Sequence, residues 1–281
     1  MIKSILVCTD GSEYSDVATE YGIHLATRLK ARILGLHVLD QRMLDGPLLA
    51  DISGWIGAQP YAAQVQSFRK LMEEKGEAVI GSFSQKCRSA GLEPETRVKL
   101  GHPPSVILEE EARAELVVMG QKGEHAGVIG ELTGSIVERV VRHSVKPCLV
   151  TPARFSPVTS ILVAYDGSGH SSKALQEAAE LTAALNLPVT AVTVAEGGNR
   201  ARAEEISRDA VKIMQSHECR QSSARVIEGN ASTVIMEAAR QEKCDFIVLG
   251  AYGHNRIREM MIGSTTTQIL SRAKMPVMLV R

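Results

Sequence analysis

The stretch that decides the fold is written twice. Residues 3–29 read KSILVCTDGSEYSDVATEYGIHLATRL, and residues 159–185 read TSILVAYDGSGHSSKALQEAAELTAAL. In each, a short apolar run ends at Asp-Gly-Ser and gives way to an apolar pattern of helical period. Asp10 therefore corresponds to Asp166 and Ser15 to Ser171, an offset of 156. Further along, ELVVMGQKG at 115–123 returns as DFIVLGAYG at 245–253, an offset of 130. The difference of 26 lies mostly in QRMLDGPLLADISGWIGAQPYAAQ, residues 41–64, which only the first half has. The chain is one unit repeated, with its joint near TPARFSP between Pro152 and Pro157. This divides it into domains 1–152 and 153–281.

Each unit alternates strand and helix. Ile5–Val7, Ile33–Val38, Thr96–Lys99, Leu116–Met119 and Cys148–Val150 are short runs bounded by Gly, Pro or charge, as buried parallel strands require. Ile161–Ala164, Val189–Val194, Arg225–Ile227, Phe246–Leu249 and Val277–Val280 follow in the second half. Helical patterns over Ser15–Leu29, Gln64–Ala90, Ser105–Ala112 and Ser135–His143 lie between the strands of the first. That order predicts an α/β fold, two tandem doubly wound, mostly parallel five-stranded sheets with helices on both faces, Rossmann-like in plan. Ligands of such sheets sit beyond the carboxyl ends of the strands, where the winding changes direction. Asp10, Asp166, Gly120 and Gly250 all fall at such ends.

The 281 residues are 44% apolar and 23% charged, and 32 Lys and Arg balance 32 Asp and Glu. A globular chain with no basic footprint is expected to bind no nucleic acid. No apolar run reaches the ~18–20 residues that span a bilayer, and the first residues turn polar too early for a signal peptide, so a cytoplasmic protein without membrane contact is expected. The five cysteines, never spaced Cys-x-x-Cys, read as buried thiols. His24, His102, His125, His170 and His254 lack ligand spacing, so no protein-held metal is expected. The phosphate loop Gly-x-x-x-x-Gly-Lys-Ser/Thr, the dinucleotide fingerprint and the Gly-x-Ser-x-Gly elbow are all absent.

GAYGHNRIREMMIGS, residues 250–264, then becomes informative. Gly250 follows an apolar strand, while Gly263 and Ser264 open the next helix, so glycines bracket one loop. Backbone without Cβ admits close approach of a ligand, and the N–H groups of a helix start favour anions. Glycines that merely end a strand and start a helix are the plainer reading, and Asp166 as a turn cap is its counterpart.

Together these residues resemble the universal stress protein family in its tandem form. The family's nucleotide signature is Gly, two residues, Gly, nine residues, Gly, then Ser or Thr, and residues 250–264 satisfy it. The resemblance spans 1–152 and 153–281 and implies an ATP-binding protein whose fold is that of the adenine nucleotide alpha hydrolases. It implies Asp166 at the ribose or adenine side, Val194 against adenine, and Gly250, Gly253, Gly263 and Ser264 around the phosphates. In the first half the matching positions are Asp10, Val38, Gly120, Gly123, Gly134 and Ser135. There ten residues separate Gly123 from Gly134 instead of nine, so the second site ranks above the first. Magnesium would be carried on the phosphates. Stress response or signalling through ATP occupancy, without an enzymatic role beyond slow hydrolysis, is the expected function, and a nucleotide-independent interaction module is the alternative.

The last strands, KPCLVTP and KMPVMLVR, are apolar edges that must be covered. The family's pairing habit implies that the two halves join through them as a pseudo-twofold pair, burying Leu149, Val277 and Leu279. The segment from Gln41 to Tyr61, with Trp55, is expected to cover a nucleotide site, to mediate a homodimer, or to cap its own domain.

Overall fold

The computed structural model describes residues 2–45, 61–123, 135–219, 221–251 and 263–281. Gly134, Gly253 and the segment 46–60 with Trp55 lie outside the described residues, as does the side chain of Ser135.

The first half runs β1 (Ser4–Cys8), α1 (Glu13–Leu29), β2 (Arg32–Asp40), α2 (Tyr61–Ser89), β3 (Glu95–Gly101), α3 (Pro103–Glu110), β4 (Leu116–Gly120), α4 (Ser135–His143) and β5 (Cys148–Thr151). The second repeats it as β6 (Ile161–Ala164), α5 (Gly169–Leu185), β7 (Val189–Ala195), α6 (Arg200–Ser216), β8 (Ser222–Glu228), α7 (Ala231–Gln241), β9 (Phe246–Gly250), α8 (Ser264–Arg272) and β10 (Val277–Val280). Every expected strand is present. The first helix starts two residues before its apolar pattern because Ser12 caps it, its hydroxyl accepting the Ser15 N–H. Lys30 and Asn186 end α1 and α5 in the left-handed conformation.

The strands lie in the order β3-β2-β1-β4-β5-β10-β9-β6-β7-β8. Within each half all pairs are parallel, and β10 then pairs with β5 antiparallel, matching Val277 with Val150 and Leu279 with Cys148. The two five-stranded sheets read from the sequence thus fuse into one of ten strands. Apolar edges that each half alone would expose become its centre, where Leu149, Val277 and Leu279 are all buried.

Two layers cover the sheet. On one face α1, α2, α5 and α6 bring Tyr21, Leu25, Phe83, Leu175 and Met214 onto β1, β2, β6 and β7. On the other, α3, α4, α7 and α8 contribute Ile107, Val140, Ala239 and Ile269. Strands buried from both sides explain the near-continuous apolar runs of β1, β4, β6 and β9. The joint between halves is pinned to the first layer: Phe155 meets Tyr21 edge-on at 4.8 Å, and the Ser156 N–H donates to the Tyr21 hydroxyl. Arg28 donates to Val158 O at 3.1 Å and to Leu185 O at 2.7 Å, tying α1 to the joint and to the end of α5.

Candidate functional site at the two switch points

Strand order places β1 between β2 and β4, so the winding reverses between β1 and β4, and in the second half between β6 and β9. Asp10 and Gly120 meet at the first reversal, Asp166 and Gly250 at the second. The two turns are built alike. Asp10 Oδ1 accepts the Ser12 N–H at 2.9 Å, and Asp166 Oδ1 accepts the Ser168 N–H at 2.9 Å. The glycine between is left-handed, Gly11 at φ 82° and Gly167 at φ 75°, which is why Asp-Gly-Ser recurs. Ser12 and Ser168 cap α1 and α5, and the Ser15 and Ser171 hydroxyls donate back to the Ser12 and Ser168 carbonyls. Asp10 and Asp166 therefore do close their turns, as the plainer reading holds. Both carboxylates are half-buried at the strand ends.

Val38 and Val194 occupy matching places, half-buried near the carboxyl ends of β2 and β7 and in register with Lys99 and Ile227. They lie two residues beyond Leu36 and Val192, whose carbonyls accept the Thr9 and Tyr165 N–H groups just past β1 and β6. Beside them the His37 ring hydrogen-bonds Thr9 O at 2.8 Å. Desolvation, reinforced by Cys148 and Asp10, pushes the Cys8 thiol far above its ordinary range, so it stays a neutral thiol at the base of the first turn.

The glycines divide by cause. A Cβ on Gly120 would lie 2.8 Å from Tyr14 Cβ and Tyr14 O, and one on Gly250 would lie 2.9 Å from His170 C and Ser171 N. Both are therefore demanded by the protein itself, since the first turn of α1 or α5 crosses the strand end. Gly123 faces the site: a Cβ there would come 2.9 Å from Asp10 Oδ2, so Gly123 lies against the aspartate of its own half. Gly263 is different. It has φ −58° and ψ 145°, and among the described residues a Cβ would meet nothing closer than Thr266 Oγ1 at 3.8 Å. The packing of the described residues around it makes no demand for glycine. As N-cap of α8 it supplies no side-chain hydrogen bond, whereas Ser12, Ser168, Asn199 and Asn230 each cap their helix with an oxygen. Ser264, exposed, opens that helix, and Ser135 opens α4 in the first half.

The profile of the Universal stress protein family matches residues 1–152 and again 157–281. The chain belongs to the universal stress protein family. A curated universal stress protein of Synechocystis is 31% identical over 291 aligned residues, covering 100% of both chains. One from Methanocaldococcus jannaschii is 28% identical over 152 residues, 53% of this chain and 82% of that one. In fold, the chain is similar to the crystal structure of a universal stress protein from Archaeoglobus fulgidus, with a TM-score of 0.75 at 21% identity over 99% of this chain and 96% of that one. Among the described residues of this universal stress protein, no group of three or more His, Cys, Asp or Glu could hold a metal ion, and no helix is long and apolar enough to cross a membrane.

Sequence reasoning named the aspartates and glycines of the candidate site but not what surrounds them. Tyr14 and His170, which crowd Gly120 and Gly250, carry no motif of their own. The caps Ser12 and Ser168 were signalled by Asp-Gly-Ser itself, since Ser directly before a helical pattern is an N-cap signature.

Proposed function

We propose that this universal stress protein binds ATP at its switch points and acts in the cytoplasm as a stress-response or signalling protein through nucleotide occupancy. Asp166 and Val194 would hold the ribose and adenine, and Gly250, Gly253, Gly263 and Ser264 the phosphates, which would carry any magnesium. Asp10, Val38, Gly120, Gly123, Gly134 and Ser135 would do so in the first half. The observation that carries this reading is Gly263: a glycine that the packing of the described residues does not require, at a helix start with no side-chain cap among them. Room for backbone approach and uncapped N–H groups are what a phosphate needs. No residue is assigned a catalytic part, so occupancy rather than turnover would be the signal.

A second reading, a nucleotide-independent interaction module, is favoured by the Asp10 and Asp166 turns, where the carboxylates already accept from the Ser12 and Ser168 N–H groups. Mass spectrometry of small molecules released from the purified protein, with ATP titration by calorimetry, separates the two. Recovered adenine nucleotide and measurable ATP binding support the first; neither leaves the second. Because the first loop holds an extra residue between Gly123 and Gly134, Asp166→Ala is expected to reduce total binding more than Asp10→Ala. Equal losses would remove the ranking of the sites.

A further inference from the structure

We infer that Gln121 and Arg281 are positioning residues that link the two candidate sites across the β5–β10 seam, an inference that rests on the nucleotide binding proposed above. The last carbonyls of a helix have no partner inside it. In α8, Leu270 O is one of these, and it accepts from the side-chain amide of Gln121. Gln121 belongs to the other half, one residue after Gly120 in the first glycine loop, and its backbone N–H donates to Thr151 O at 3.0 Å. In α4, Arg142 O accepts from Arg281 Nη1 at 3.0 Å, and Arg281 follows β10 of the second half. A guanidinium suits the negative end of a helix dipole.

Each helix that begins at a candidate phosphate loop is thus held at its far end by the opposite half. Duplication alone does not produce this. The position matching Gln121 is Ala251, which has no side-chain donor, and the one matching Arg281 is Pro152. Two unlike residues make the same kind of grip on a repeated frame. Helix α8 has 9 residues, about 13 Å at 1.5 Å per residue, short enough to move as one body. A ligand that reshapes Gly120 and Gly123 draws on Gln121, and a displacement at Leu270 arrives at Ser264. Between two sites this is a coupling free energy, and it is reciprocal.

Gln121→Glu keeps the length but turns an acceptor toward Leu270 O, whereas Gln121→Lys keeps an N–H donor. In nucleotide-free protein, amide exchange at Thr267 to Leu270 should quicken about two- to tenfold in the Glu variant, the worth of one hydrogen bond, and stay near wild type in the Lys variant. With the first site disabled by Asp10→Ala, Gln121→Glu should weaken ATP binding at the second site by a similar factor, though Gln121 touches no proposed contact there. Unchanged exchange in Gln121→Glu overturns the grip. Changed exchange with unchanged second-site affinity overturns the link. Absence of ATP binding in the wild-type protein is the separate failure of the nucleotide reading, and the link falls with it.

Discussion

Replacing Gly250 and Gly263 separately by alanine tests the division of the glycines by cause. On Gly250 the new methyl lies 2.9 Å from His170 C and Ser171 N. Carbon contacts settle near 3.5–4.0 Å, so β9 and the start of α5 must separate by roughly 0.5–1 Å. Those are backbone atoms in two packed elements, and overpacking of this kind costs about 1–3 kcal/mol, against about 0.4–1 kcal/mol regained from a stiffer unfolded chain. A net loss of about 1–2 kcal/mol should lower the melting temperature by about 2–8 °C for a chain of this size. On Gly263 the methyl meets, among the described residues, only Thr266 Oγ1 at an ordinary contact distance of 3.8 Å, at an ordinary φ of −58°. Losing glycine at an N-cap and gaining chain stiffness nearly cancel, leaving stability within about 0.5 kcal/mol of wild type. Urea unfolding of both variants, compared at a common slope, measures the difference. ATP titration should then show Gly263→Ala, and more strongly Gly263→Val, weakening binding in a fully stable protein. If Gly250→Ala proves as stable as Gly263→Ala, the crowding at the strand end is wrong; if Gly263→Val binds ATP as wild type does, the phosphate assignment fails.

Three further outcomes are expected. Burial and the neighbouring Arg28 lower the His24 pKa below its ordinary 6.5, against an opposing pull from Asp245. The unfolded chain then takes up the proton first, so stability is lost as pH falls below 6.5, and in urea titrations at pH 7 and pH 5 His24→Gln should flatten that slope. Burial raises the Cys87 thiol to about 11 and the Cys148 thiol to about 12 from 9.0. Native stability should therefore fall as pH rises above 9, and at pH 8.5 iodoacetamide should label both cysteines at least roughly a hundredfold more slowly than in urea. A homodimer formed through the segment from Gln41 to Tyr61 is a further expectation. Sedimentation equilibrium should report twice the 30.4 kDa chain mass, and a monomer across micromolar concentrations would exclude it.

Much of the fold was legible because its signals are local. Apolar runs of strand length, the Asp-Gly-Ser turns and the repeat placed every strand and the carboxyl ends that carry Asp10, Asp166, Gly120 and Gly250, while the strand order that makes them reversal points came from the structure. What escaped depends on partners far away in sequence. A glycine letter does not say whether a helix turn crowds it, as at Gly250, or no described residue does, as at Gly263. Likewise, Gln121 reads as an ordinary loop residue, since its carbonyl acceptor lies 149 residues away. The fusion of the two sheets was readable only as an apolar edge that needed a cover.

The antiparallel seam also changes how this protein responds to dilution. Two separate chains meeting through the same strands would obey mass action, and their pairing would fade as the protein became scarce. Here β5 and β10 belong to one polymer, with Phe155 and Arg28 fastening the short joint between halves. Meeting becomes a first-order event governed by an effective concentration in the millimolar range or above. The paired state, and any traffic between its two loops, is then the same at a few copies per cell as at thousands.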